Sequence, residues 1–429
     1  MVEADITTGR DHGARALGSL LPLYVVIFFG FVGYSLMITI FTPLFLKPDS
    51  AILPAGVTSS YRTIVLGMVL GLYPAGQFIG SPVLGTLSDR YGRRPVLLIS
   101  LSITTACYAV VAASLERLSL ATLAVSLFVA GLAEANIVTA QSAIADVVDP
   151  EDRNRFFGYI YMCVSLAYIA GPLAGGKLAE PSVVSWFNYA TPFWVVFGLL
   201  LLTTLGTLVK FRETNPPEKR QQISYFEAFT NLAGVFTDRR IHILYLINFL
   251  LYLAIFGFFR CYPMYLVDEF HLGVSRESEY IAWVGLPIVL ANLWLTGYLA
   301  KRFTTRSLTL WSALLTGIFM IIVVAPPNRG ALWVTLFLTS LALAICLPSC
   351  ATMLSTSVGE ADQGRVMGNN QALQVGAESL SGLLGGLLAA IMVKLSLVVL
   401  GIVAIAAAGV LILIRLMCAS EHIAHNGIA

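Results

Sequence analysis

Charge is what this 429-residue chain has least of: Asp, Glu, Lys and Arg together make up 12%, against 57% apolar residues. Soluble domains carry about 25% charged and roughly 45–50% apolar residues, so a soluble globular protein is excluded. Histidine is equally thin, with five residues at 12, 242, 271, 422 and 425 that fall near span ends or in loops and tails. No nucleophile–base or metal constellation forms from them, which argues against a membrane-embedded enzyme. No P-loop is present, which argues against ATP-driven pumping as well. The six cysteines (107, 163, 261, 346, 350 and 418) lie in or beside apolar runs and read as small buried hydrophobes, not a disulfide framework. Cys346 and Cys350 stand one helical turn apart without a nearby His, a pattern of packing and not of metal binding. No cofactor, metal or nucleic-acid partner is expected, and neither the tails nor the 211–240 stretch is long enough for an added sensor domain.

What the chain has instead is long apolar runs, and its mean hydropathy is +0.82. Stretches of about 20 apolar residues span a bilayer as helices. Lipid leaves helices or closed barrels as the only options, and unbroken runs exclude barrel strands, which alternate in polarity. The reading is an all-α integral membrane protein with twelve spans near 20–46, 61–87, 95–115, 118–146, 156–177, 192–210, 241–266, 280–300, 307–325, 331–355, 366–391 and 395–417. The first run is too long for a signal-peptide core and reads as an uncleaved span. Placing both termini in the cytoplasm puts 18 of the 26 Lys and Arg on the inner side, as the positive-inside rule prefers.

The longest polar stretch, 211–240, carries the helix-breaking Asn215-Pro216-Pro217 and divides six spans from six. The expected units are residues 1–210, a cytoplasmic linker 211–240 with an amphipathic segment at 223–236, and residues 241–429. The halves echo each other. Residues 297–306 repeat the pattern of 85–94 with Lys301 in place of Asp89. Asp152, Arg155, Gly158 and Gly175-Gly176 match Asp362, Arg365, Gly368 and Gly385-Gly386 at an offset of 210 residues. Two pseudo-symmetric six-helix bundles related by duplication are a transporter architecture, with a binding site expected where the repeats meet.

The densest charge cluster is residues 85–94, Gly-Thr-Leu-Ser-Asp-Arg-Tyr-Gly-Arg-Arg, a charged turn between two apolar spans. With these ten residues the chain resembles the major facilitator superfamily over essentially its whole length, for they match that family's G-x-L-x-D-R-x-G-R-R signature between helices two and three. Gly158, Ala167 and the run Gly171-Pro172-x-x-Gly175-Gly176 resemble the antiporter signature of its fifth helix, with Ala167 where the pattern prefers Gly. Residues 145–158 and Gln363-Gly364 look like the tetracycline and multidrug proton antiporter branch. Two features depart from that branch: Leu127 stands where an Arg is usual, and the first span has no acid. The usual proton relay is therefore not carried over.

The candidate gating group is Gly85, Asp89, Arg90, Gly92, Arg93 and Arg94. Asp89 can pair with Arg93 or accept from the open amides of a helix N-terminus, and the resemblance implies span eleven near Arg365–Gly368. An anchor made of arginine alone has no use for the acid. Gly171, Pro172, Gly175 and Gly176 are expected to bend span five and admit a neighbouring helix closely; ordinary small-residue packing is the alternative.

A charge at the bilayer centre costs about 2.5–3.5 kcal/mol on insertion scales and marks function by default. Glu134, expected in the middle of span four, and Glu378, in span eleven on a face with Gln371 and Gln374, are the deep carboxyls. Burial disfavours their ionised form, so each can carry a proton. Arg260 is expected either to pair with a carboxylate or anionic cargo, or to snorkel. Asn248, Tyr252, Gln77 and Tyr34 complete the expected cavity. The resemblance implies a secondary transporter, a monomer in a cell membrane of bacterial inner-membrane type. Exchange of protons for small amphiphilic molecules by alternating access is what the same resemblance implies. A transporter of one specific metabolite, such as a siderophore, sugar or organic acid, is the alternative.

Overall fold

The computed structural model describes the backbone of residues 2–48, 50–134, 136–148, 153–216, 241–326 and 328–426. Side chains are described over the same residues except 2–19, 136–137, 145, 153–155, 360–362, 364 and 414–426. The amphipathic segment expected at 223–236 lies outside them.

Every described element is helical. In chain order they are α1 (Val2–Leu46), α2 (Ser59–Tyr91), α3 (Arg93–Glu116), α4 (Leu120–Leu132), α5 (Asn136–Val147), α6 (Arg153–Leu178) and α7 (Thr191–Lys210). The second part holds α8 (His242–Phe270), α9 (Val274–Leu290), α10 (Thr296–Ala300), α11 (Thr305–Ile322), α12 (Arg329–Ser355), α13 (Glu360–Ile391) and α14 (Val393–Asn426). Helix is the outcome the bilayer enforces on runs rich in Leu, Val, Ala and Ile, because it satisfies the backbone within one segment. Among the described residues, eleven helices are long and apolar enough to cross a membrane, α9 and α10 counting as one span. The joint between those two is a π turn, Ala291–Leu295, following Pro287, whose missing N–H already disturbs the hydrogen-bond ladder.

Span four differs from its expectation. It is not one helix over 118–146 but two, α4 and α5, with Glu134 in the gap between them. A gap at membrane depth leaves carbonyls without intrahelical donors, and neighbouring side chains supply them. Ser100 of α3 donates to the Ala133 carbonyl, and Ser81 of α2 donates to that of Glu134 at 3.5 Å. The backbone of α4 also lies directly on α2. A Cβ placed on Gly131 would strike the Tyr73 carbonyl, and one on Gly76 the Phe128 carbonyl.

The described residues form two units. The first lies within 1–44, 51–53 and 72–229, the second within 45–50, 54–71 and 230–429, so α2 gives its first residues to the second unit and the rest to the first. In the first unit α3 packs on α4 and α7, while Leu20, Leu23 and Tyr24 of α1 share a core with Leu97, Ala140 and Phe156. In the second, α8 packs on α13 and α14, and α11 on α12 and α14.

Candidate functional site

The charged turn proves to be almost entirely helix. α2 continues to Tyr91, α3 begins at Arg93, and Gly92 alone joins them at φ 104°. That left-handed backbone is open to glycine at no steric cost, which explains why the signature holds a glycine there. The joint is then stitched by Arg93, which is 6% exposed. Its Nη1 donates to Asp89 Oδ1 at 2.5 Å and to Ser88 Oγ at 2.7 Å, while Nε donates to Asp146 Oδ2 at 3.1 Å. Of the two kinds of partner open to Asp89, the structure supplies Arg93. Arg90 is exposed and stacks on the Tyr91 ring at 5.4 Å. Gly85 faces Val138 of α5.

A carboxylate does sit on exposed helix-terminal amides here, but it belongs to Glu213, just past α7. Its Oε1 accepts from Arg93 N at 2.8 Å and its Oε2 from Arg94 N at 3.1 Å, so one side chain covers two open donors of α3. Around it, Arg94 Nη2 donates to the Leu208 carbonyl at 2.7 Å and Asn215 Nδ2 to the Asp89 carbonyl at 3.0 Å. Thr214 Oγ1 donates to Asp146 Oδ2 at 3.2 Å. Glu213 went unnoticed in the sequence because an acid in a polar linker reads as a solvated residue. Asp146 lies in the 145–158 motif, but nothing local pointed to its partner.

Glu134 is 4% exposed and accepts from Tyr73 Oη of α2 at 2.5 Å. The Tyr73 ring stacks on that of Tyr34 from α1, with centroids 5.0 Å apart. Thus Glu134 and Tyr34, both sequence candidates, meet through a tyrosine that was not one. Gln77 lies one helical turn beyond Tyr73 and is half-buried.

In the second unit the candidates on α8 and α13 meet along a shared seam. Arg260, 1% exposed, does not snorkel; its Nη2 lies 3.5 Å from Glu378 Oε1 and its Nη1 donates to the Phe256 carbonyl at 3.4 Å. Further along, Asn248 Nδ2 donates to Asn370 Oδ1 at 3.0 Å and to the Cys350 carbonyl at 3.2 Å. Asn370 Nδ2 in turn donates to Tyr252 Oη at 2.8 Å. Asn248, Tyr252 and Arg260 recur at multiples of four on α8, as do Asn370, Gln374 and Glu378 on α13. Asn370 was missed although a spacing of eight from Glu378 would have found it. Gln374 is half-buried and Gln371 exposed, so the polar stripe reaches from the seam to the surface of the helix.

The fifth-span motif acts through close approach. A Cβ on Gly171 would strike Ser35 Oγ of α1, and one on Gly175 would lie 3.0 Å from Leu36 Cβ. Ser35 Oγ donates across that contact to the Ala167 carbonyl at 3.0 Å. Pro172 lies within an unbroken α6, and Gly176 beside it is buried.

An all-helical chain with membrane-length spans and buried charged and polar seams is a multi-pass membrane protein of transporter type. The Major Facilitator Superfamily model matches residues 20–293 and 244–422, and the chain belongs to that family. The class C tetracycline resistance protein of Escherichia coli is 31% identical over 310 residues, 72% of this chain and 75% of that one. The quinolone resistance protein NorA of Staphylococcus aureus is 22% identical over 345 residues, 80% of this chain and 82% of its own. Among solved structures, the D-xylose–proton symporter superposes with a TM-score of 0.73 at 15% identity, covering 92% of this chain and 96% of that one. The human organic anion transporter MFSD10 gives 0.67 at 18% identity over 92% and 99%. The chain is a transporter and not an enzyme.

Proposed function

We propose that this protein exports small amphiphilic molecules in exchange for protons, with Glu134 as the proton carrier. The observation that carries the reading is the Glu134–Tyr73 contact. A phenol is a neutral partner that serves a carboxyl in either protonation state, by donating to the charged form or accepting from the neutral one. Glu378 has a different environment: the Arg260 guanidinium balances its charge, which suits a structural or substrate-responsive pair better than a proton shuttle. The relatives named for tetracycline and quinolone resistance support an amphiphilic drug-like cargo, and the charge count supports cytoplasmic termini. The protein acts as a monomer in a bacterial inner membrane, by alternating access. One charge crossing the membrane supplies about 2.3 kcal/mol per 100 mV, enough for a modest uphill gradient.

The test is transport into proteoliposomes under an imposed pH gradient, against a panel of tetracyclines, quinolones, siderophores and metabolites. Glu134→Gln is expected to abolish gradient-driven movement of the accepted compound while leaving downhill exchange. Transport that ignores the pH gradient in the wild-type protein overturns proton coupling; a selective response to one metabolite favours the alternative cargo.

A further inference from the structure

Glu277, in the first turn of α9, is 0% exposed, yet neither of its carboxyl oxygens meets a hydrogen-bond donor among the described residues. The charges gathered at that end of the second unit are mostly engaged with other groups. Arg276 pairs with Glu279 at 3.1 Å on α9 itself, and Glu269 of α8 pairs with Lys394 of α14 at 2.6 Å. Arg329 of α12 donates to the Phe270 carbonyl at 2.8 Å, and Arg62 of α2 to the carbonyls of Phe45, Lys47 and Pro48. Asp268 and His271, at the end of α8, are exposed. From α8 the Tyr262 hydroxyl is also buried without a partner among the described residues. Among the described residues, Lys47, an exposed residue just beyond α1, is the cation whose charge acts on Glu277.

Enclosing a bare carboxylate is costly even after the surroundings relax, and here no described donor offsets it. The neutral acid has no such penalty. We infer that Glu277 is a second proton-binding site of the transporter, built into the α8–α9 corner and separate from Glu134. Enclosed, the carboxyl keeps its proton. When the corner opens, the O–H bond breaks, the proton passes to water, and Lys47 becomes the counter-ion of the carboxylate left behind. The site thus binds a proton in one conformation and an ammonium group in the other, which ties its occupancy to the state of that corner.

Infrared difference spectroscopy on the purified full-length protein reads this directly, independently of whether any cargo is exported. At neutral pH the wild-type spectrum is expected to contain a protonated-carboxyl C=O band that is lost in Glu277→Gln and kept in Glu134→Gln and Glu378→Gln. In Lys47→Met the same band is expected to persist to higher pH, because the cation that favours ionisation is gone. Retention of every protonated-carboxyl band in Glu277→Gln overturns the proposal. Should that variant not fold, Lys47→Met decides alone, and an unchanged carboxyl titration overturns it. A failure of the Glu134 reading shows in the transport assay and leaves these bands untouched.

Discussion

Arg260 Nη2 lies 3.5 Å from Glu378 Oε1, and the two residues are separated by 118 positions, the same interval that separates Tyr252 from Asn370. A constant interval means that α8 and α13 run parallel and in register, so their polar groups meet as rungs. The ion pair is the deepest charge in that ladder. Removing one partner of a buried pair strands the other, at a cost of about 3–5 kcal/mol, whereas removing both leaves no orphan. Glu378→Gln alone is therefore expected to lower the thermal unfolding temperature in detergent more than the double change Arg260→Met with Glu378→Met. Equal losses in the single and double variants would contradict the pairing.

Tyr73→Phe removes the donor to Glu134 while keeping the ring that stacks on Tyr34. Hydrogen bonds to charged groups contribute about 1.5–3 kcal/mol. The expected result is a folded protein whose gradient-driven transport falls by about tenfold or more and whose pH–rate profile is displaced. A profile superimposable on the wild type would separate Tyr73 from the proton step.

The Asp89–Arg93–Asp146 bridge and the Glu213 cap make distinct predictions. Asp89→Asn is expected to insert normally but to transport far more slowly; wild-type transport from a well-expressed Asp89→Asn protein would dismiss the bridge as a working part. Glu213→Gln keeps the side chain's shape but weakens the acceptor, at about 1 kcal/mol, typical of a lost N-cap. Faster amide exchange at Arg93 and Arg94, read by hydrogen–deuterium exchange, is the expected mark.

Close backbone contact predicts a sharp contrast among glycines. Gly131→Ala drives a methyl into the Tyr73 carbonyl, whereas at Gly158 nothing lies within 4 Å of an added Cβ. Overpacking costs about 1–3 kcal/mol. Thermal unfolding is expected to drop for Gly131→Ala and to hold for Gly158→Ala.

How far the sequence could be read depends on how local the cause was. Membrane-length helices follow from composition and the bilayer alone, and Arg260, Glu378, Asn248 and Tyr252 announced themselves as polar groups in apolar runs. Their pairing did not, because the partners lie more than a hundred residues apart and one chain offers no covariation. The break at Glu134 carries no proline. The serines that stabilise its open carbonyls sit 33 and 53 residues upstream, outside any window of periodicity. The charged turn looked like a loop because charge suggests solvent; only the Gly92 backbone shows that helix resumes after a single residue.

The Glu213 cap also has a bearing on how the protein is made. Arg93 and its acceptor are 120 residues apart, and all of α3 to α7 lies between them. At roughly 5–20 residues per second, the ribosome needs on the order of ten seconds to deliver that carboxylate. Until then the first amides of α3 must rely on water or lipid headgroups, and the Glu213 cap can close only once α7 has been threaded. The finished corner is thus a late event in biogenesis, and it records that the first unit has been assembled in full.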